Sequence, residues 1–123
     1  MARDFRKIKA WQLADDLVLR VYQLSRQFPA EELYGLVSQL RRAVASVPAN
    51  IAEGSNRSSN REFLQFLYIA SGSMAEVEYF LHLSHRLGYL RDAEYDQLEE
   101  ARRQSASTLQ GLIKSVKAQT ANK

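Results

Sequence analysis

Cysteine is absent from the 123-residue chain, which excludes disulfide bonds, thiol catalysis and cysteine-based zinc sites. Proline and glycine are scarce, at two and five residues, so the composition is not that of a disordered chain. Long apolar runs are missing too, since no stretch approaches the roughly 18 uncharged apolar residues of a membrane span. The start, MARDFRKIKAW, is charged and is not followed by the apolar run of a secretory signal. We therefore expect a cytoplasmic protein that does not act in a membrane.

The residues that are present suit a globular protein, with 46% hydrophobic and 25% charged. A chain of this length can bury roughly 65% of its unfolded surface without metals or disulfides. We expect one domain over residues 1–123, with loose ends at 1–7 and 118–123. The net charge of +3 is unevenly spread, because both ends are basic and the segment 76–100 is acidic.

Apolar residues recur at helical spacing in four segments, roughly 8–27, 31–54, 60–87 and 92–117. The connections between them are short, which favours antiparallel neighbours. The sequence therefore predicts an all-α protein, an antiparallel up-down-up-down four-helix bundle.

The boundaries of these segments carry recognisable signals. Pro29 ends the first helix, because the residue before a proline is disfavoured in the helical region. Gly54 is predicted to end the second helix in the left-handed conformation. Ser59 and Glu62 match a capping box at the start of the third helix, and Gly88 is predicted to end it.

The second segment raises two further expectations. Glu31 and Glu32 are predicted to lie in its first turn, where carboxylates complement the helix dipole. Pro48 removes the amide that the Val44 carbonyl would accept, so the helix is expected either to kink or to restart at this residue. The apolar seam keeps one phase from Val44 to Ile51, which favours a continuous helix kinked at Pro48.

Polar residues form a second stripe on this helix, roughly 120° from the apolar seam at 100° per residue. A solvated helix face would explain such a stripe. The small alanines interleaved with it would also let another helix approach closely, and the covered polar groups would then need hydrogen bonds. We interpret the stripe as a subunit interface or a buried polar network, composed of Gln39, Arg42, Ser46, Asn50 and Glu53.

Glu76 falls on an apolar face of the third helix, where a carboxylate is seldom left unpaired. Arg41 or Arg42 is the natural partner, because a guanidinium can bind a carboxylate with two hydrogen bonds. We predict a buried or interfacial ion pair that fixes the register between helices or subunits.

The stretch RRAVASVPANIAEG at 41–54, preceded by FPAEELYGLVSQL, carries a family pattern. The matching residues are Phe28-Pro29, Glu32, Tyr34-Gly35-Leu36, Gln39, Arg42-Ala43, Ser46, Pro48, Asn50-Ile51-Ala52-Glu53-Gly54, Gly72-Ser73 and Glu76. With this pattern the chain resembles the bacterial four-helix-bundle proteins encoded in intervening sequences of 23S ribosomal RNA genes. The resemblance implies a ring-like homo-oligomer, commonly a pentamer, without established enzymatic activity. A more distant likeness is to accessory proteins of diversity-generating retroelements, which are similar bundles that bind nucleic acid.

An enzyme is one alternative that the sequence leaves to be considered. Glu78, His82 and His85 have spacing that could direct metal-ligand side chains from one helix. Di-iron bundles, however, take Glu-x-x-His motifs from two helices, and both histidines here lie on one. We expect no catalysis, no metal, no cofactor and no small-molecule substrate.

Nucleic-acid binding is the second alternative. Arg41, Arg57 and Arg61 are placed around the second interhelical loop, and Lys114 and Lys117 lie in the last helix. These residues are candidate contacts to RNA phosphates, and a ring would multiply their charge. The preferred prediction is a non-enzymatic homo-oligomer of structural or adaptor type, with RNA as the alternative partner.

Overall fold

The computed structural model describes residues 3–121 and folds them into four α-helices with no β-strand in that range, which confirms the all-α prediction. Two short 3-10 turns, Phe5–Lys7 and Ala30–Glu32, precede the first and second helices. The helices are α1 (Lys9–Ser25), α2 (Leu36–Ser55), α3 (Asn60–Arg86) and α4 (Asp92–Ala121). No helix in this range has an apolar stretch long enough to cross a membrane.

The four helices form a bundle in which α1 contacts α2, α2 contacts α3, α3 contacts α4, and α4 returns to α1. Hydrogen bonds between α3 and α4 join Asn60 to Gln119 (3.3 Å) near one end and His85 to Asp92 (2.7 Å) near the other. Residue numbers therefore rise along α3 as they fall along α4, as expected of antiparallel neighbours. The contacts favour the up-down-up-down order.

The core runs along the bundle axis and is composed mainly of aliphatic side chains from all four helices. Leu17, Val44, Leu67 and Leu81 are each at most 1% exposed, and Leu109 of α4 is buried to the same degree. These positions follow the apolar periodicity of the sequence, because each helix buries the stripe that repeats every three to four residues.

The beginning of α2 differs from the sequence prediction, since Glu31 and Glu32 lie in the separate 3-10 turn and α2 begins at Leu36. The Leu36 amide donates a hydrogen bond to Glu32 Oε1 (3.3 Å), and the Tyr89 hydroxyl donates to Glu32 Oε2 (2.8 Å). The latter bond is the main cause that raises the pKa of Tyr89. The Glu32 carboxylate thus accepts a hydrogen bond from the first residue of α2 while lying outside that helix. Helical periodicity alone does not indicate such a contact.

Pro48 lies inside α2 and is buried, and the helix continues without interruption from Leu36 to Ser55. The continuous helix is therefore confirmed over the restart at Pro48. The kink remains a prediction.

Gly54 does not end α2 as predicted, because the helix extends one residue further and Gly54 is buried within it. A Cβ atom at this position would lie 2.7 Å from Phe66 Cβ and 2.9 Å from Phe63 Cδ1. Glycine is thus required by the close approach of α3 and not by a left-handed backbone. Positive φ among the described glycines occurs at Gly88 (81°), just past the end of α3.

The start of α3 and the N-terminal segment are anchored together. Ser59 Oγ accepts a hydrogen bond from the Glu62 amide (3.1 Å), which confirms the predicted cap. Arg3 donates to the Arg57 carbonyl oxygen (3.0 Å) and stacks over the Phe63 ring. Residues 5–7 form a 3-10 turn and residues 118–121 continue α4, whereas 1–2 and 122–123 lie outside the described residues, so the expectation of loose ends stays a prediction.

Candidate functional site

The polar stripe of α2 lies beside α3. Ser46 Oγ and Ser73 Oγ are 2.8 Å apart and share a hydrogen bond. The Asn50 side-chain amide donates to the Ser46 carbonyl oxygen (2.8 Å) and to Ser46 Oγ (3.0 Å). Two residues of the stripe therefore form a half-buried network that links α2 to α3.

The rest of the stripe faces solvent in the single chain. Gln39, Arg42 and Glu53 are exposed. Glu53 pairs with Arg57 in the loop that follows α2 (3.0 Å), and such an exposed pair contributes little to stability. The single chain thus leaves most of the predicted interface residues uncovered.

Glu76 is also exposed and forms no ion pair within residues 3–121. Arg41 binds elsewhere, donating to Ser25 Oγ (2.9 Å) and to the Tyr22 carbonyl oxygen (3.3 Å). The ion pair between Glu76 and Arg41 or Arg42 is therefore not formed within the chain, because α2 directs Arg41 toward α1 and Arg42 toward solvent. Its interfacial form remains a prediction.

Apolar side chains interrupt this exposed region. Ile69 and Glu76 lie one turn to either side of Ser73 on α3, and Ile69 is 52% exposed. Gly72 is exposed, and a Cβ built there would meet no atom within 4 Å. We define the α2/α3 surface as Gln39, Arg42, Ser46, Asn50, Glu53, Ile69, Gly72, Ser73 and Glu76.

A charged network that the sequence analysis missed joins α3 to α4. Glu99 and Arg102 are 4% and 8% exposed, and the Arg102 Nε atom donates to the Glu99 carboxylate. The Arg102 guanidinium also lies 3.5 Å from Glu78 on α3. Burial raises the pKa of the neighbouring Tyr95 hydroxyl, and the charge of Glu99 adds to the shift.

A signal for this network was present in the sequence. Arg102 lies four residues after Leu98 and three before Ser105, so it shares their helical face. Leu98 and Ser105 are both buried. An arginine at a core position, with a glutamate three residues earlier, indicates a buried pair.

The family assignment rests on most of the chain. The model of the 23S rRNA-intervening sequence protein family matches residues 6–111. The chain belongs to this family. No curated protein matches its sequence. A protein of unknown function from the S23 ribosomal protein family of Bacteroides thetaiotaomicron has a similar crystal structure, with a TM-score of 0.79. It is 24% identical, and the likeness covers 85% of this chain and 95% of that one, which supports the shared fold.

In this family member, residues of the quoted stretch 41–54 have packing contacts. Gly54 admits the Phe63 and Phe66 side chains, and Ser46 bonds across to Ser73. These contacts hold α2 against α3.

Two of the candidate metal ligands on α3, Glu78 and His85, contact different side chains of α4. Glu78 approaches Arg102, and His85 bonds to Asp92 (2.7 Å) while its ring stacks on Tyr95. Within residues 3–121, no three histidine, aspartate or glutamate side chains lie close enough together to hold a metal ion.

The basic candidates separate into two places. Arg57 lies in the loop before α3, Arg61 lies in the first turn of α3, and Lys114 and Lys117 lie near the end of α4, where Asn60 bonds to Gln119. We call these four residues the basic end. Arg41 does not join them, because α2 continues from Arg41 to Ser55 before the loop that holds Arg57, a rise of about 21 Å at 1.5 Å per residue.

Proposed function

We propose that this member of the family is a non-enzymatic homo-oligomeric protein of structural or adaptor type. The proposed assembly is a ring, and five is the subunit number that the resemblance of the sequence implies. The observation that carries the proposal is the α2/α3 surface, which a single chain leaves open.

The composition of this surface supports contact with another copy. Ile69 lies within it and is 52% exposed, so covering it would remove apolar area from water. Gly72 has no side chain, and Ser46 and Ser73 have small side chains that bond to each other. Few atoms therefore project from this part of the surface, which allows a neighbouring backbone to approach. Arg42 and Glu76 add opposite charges without ion pairs inside residues 3–121, and such charges can select a partner and its register.

Light scattering at micromolar concentration tests the assembly. We expect a mass several times the 14.1 kDa of one chain. The Ile69→Glu variant is expected to lower the mass to that of one chain, because it places a carboxylate within the covered surface.

The matched control is Leu19→Glu on α1, where the leucine is 57% exposed and lies outside the α2/α3 surface. It should assemble like the unmodified chain. An unmodified chain of 14.1 kDa would exclude assembly, and equal masses for the two variants would exclude the α2/α3 surface as the interface.

A second candidate function, RNA binding, is favoured by the basic end. Arg61, Lys114 and Lys117 are exposed and form no ion pair within the described range 3–121. They come from two helices that meet at one end of the bundle, so a ring would present one set of these cations per copy. Such a surface suits contacts to phosphates and not the reading of bases.

Binding of single-stranded RNA at several salt concentrations tests this function. Arg61→Gln combined with Lys117→Gln should lower the slope of log affinity against log salt by about 1.4 per bound copy, at about 0.7 for each lost phosphate contact. Arg20→Gln combined with Arg26→Gln removes the same charge from α1 and the residue that follows it, and should leave the slope nearly unchanged. If both double variants lose affinity equally, binding depends only on overall charge.

A further inference from the structure

A groove on the outside of α3 and α4 lies next to the α2/α3 surface. It has a volume of about 300 Å³ and is lined by Ala75, Glu78, Tyr79, His82 and Tyr95. Tyr79 is 56% exposed, so an aromatic face is open to solvent there. We call it the α3/α4 groove.

The charge of this groove is unbalanced. Arg102, on its inner side, is shared by two carboxylates, those of Glu99 and Glu78. One guanidinium cannot neutralise both, so one negative charge remains, and the Glu78 side chain, 60% exposed, is its solvent-facing end. A carboxylate beside tyrosine rings favours a cation, which gains from the charge and from the aromatic faces.

Arg42 carries a positive charge and lies at the same level along the bundle axis as Glu78. The Ser46–Ser73 hydrogen bond sets the register of α2 against α3. Arg42 lies four residues before Ser46, and Val77 lies four residues after Ser73. Because the two helices run in opposite directions, both steps move about 6 Å the same way along the bundle. Arg42 is therefore level with Val77 and with its neighbour Glu78.

The placement of the two surfaces suits a ring. Both include α3, so they are neighbouring faces of the bundle and not opposite ones. Contacts between unlike faces are heterologous, and when the faces are neighbours each added copy is turned relative to the last, so a ring forms if the successive rotations close. A rotation about an axis parallel to the bundle does not move a residue along that axis. Arg42 of one copy therefore lies at the same level as Glu78 of the next copy.

We infer that in the assembled protein the Arg42 side chain of one copy enters the α3/α4 groove of the next copy, where it binds Glu78 and packs on Tyr79. This inference rests on the proposed homo-oligomer. It adds the second half of the interface, since the α2/α3 surface of each copy then contacts a different face of its neighbour.

Mixing two complementary variants tests the pairing. Arg42→Ala removes the cation and leaves the groove intact, whereas Glu78→Gln combined with Tyr79→Ala changes the groove and leaves Arg42 intact. Each variant alone should have the 14.1 kDa mass of one chain by light scattering. An equimolar mixture should have twice that mass, because it rebuilds one competent contact and leaves the other blocked. Arg20→Ala, on α1, is the matched control and should assemble fully.

The outcomes separate the two proposals. If the unmodified chain is a monomer, the proposed homo-oligomer fails and the inference fails with it. If the unmodified chain assembles but either variant assembles equally well, or the mixture stays at the mass of one chain, the pairing of Arg42 with the groove is wrong while the oligomer stands. Circular dichroism and thermal melting should show unchanged helix content for every variant, since the substituted side chains are at the surface.

Discussion

Replacing Arg102 with alanine should reduce the free energy of unfolding by about 3–5 kcal/mol, the usual cost of removing one partner of a buried ion pair. Glu99 is only 4% exposed, and its carboxylate accepts from Arg102 Nε. Without the guanidinium it would remain buried with no cation to balance it. Urea unfolding followed by circular dichroism, extrapolated to zero denaturant, measures the loss.

Two comparisons separate charge from packing in this result. Arg103→Ala removes an exposed guanidinium one residue away and should change stability by no more than about 0.5 kcal/mol. Arg102→Met combined with Glu99→Gln removes both charges and keeps the side-chain volumes, so it should recover most of the loss. If the double variant is as unstable as Arg102→Ala, the arginine contributes through packing and the explanation by an unpaired carboxylate is wrong.

The buried pair also connects the stability of the chain to its proposed assembly. Arg102 holds Glu99 inside the bundle and Glu78 at the edge of the α3/α4 groove. Because one cation serves two carboxylates, the contact that joins α3 to α4 leaves a negative charge at the surface. The same arrangement would therefore stabilise the single chain and favour a cationic neighbour.

The helices could be predicted because their signals are local. Apolar periodicity and the Ser59 cap depend on residues within one or two turns, and both are present in the structure. The start of α2 could not be placed, because Glu32 is engaged by Leu36 and by Tyr89, which is 57 residues away in sequence. Contacts of that kind depend on tertiary packing, and no local pattern indicates them.

The candidate surface was predictable only in part. Helical spacing places Ser46 and Asn50 on one face, and the structure joins them to Ser73. Arg41 shows the limit, since its neighbours on α1, Tyr22 and Ser25, determine its direction. Arg102 could have been found by the reasoning applied to Glu76, because it too shares a helical face with buried residues, Leu98 and Ser105.

Gly54→Ala is expected to destabilise the protein by about 3 kcal/mol, near the upper end for overpacking a core. The added methyl group would lie 2.7 Å from Phe66 Cβ, an atom that cannot move without the α3 backbone. The Phe63 ring, 2.9 Å away at its Cδ1 atom, is only 2% exposed and has little room to turn. The expected cost exceeds the gain of about 1 kcal/mol that alanine brings over glycine in a helix.

Gly111→Ala on α4 is the matched control, because a Cβ there would meet no atom within 4 Å. Only the helix propensity changes at this exposed position, so thermal melting should show a gain of about 0.5–1 kcal/mol. Opposite signs for the two variants would show that the glycine ending the stretch 41–54 is needed for the approach of α3 to α2. A gain at Gly54 as well would mean that α2 and α3 are further apart than the contacts with Phe63 and Phe66 require. The Ser46–Ser73 hydrogen bond lies two turns further along α2 and α3. It would then not be supported by close packing of the two helices at Gly54.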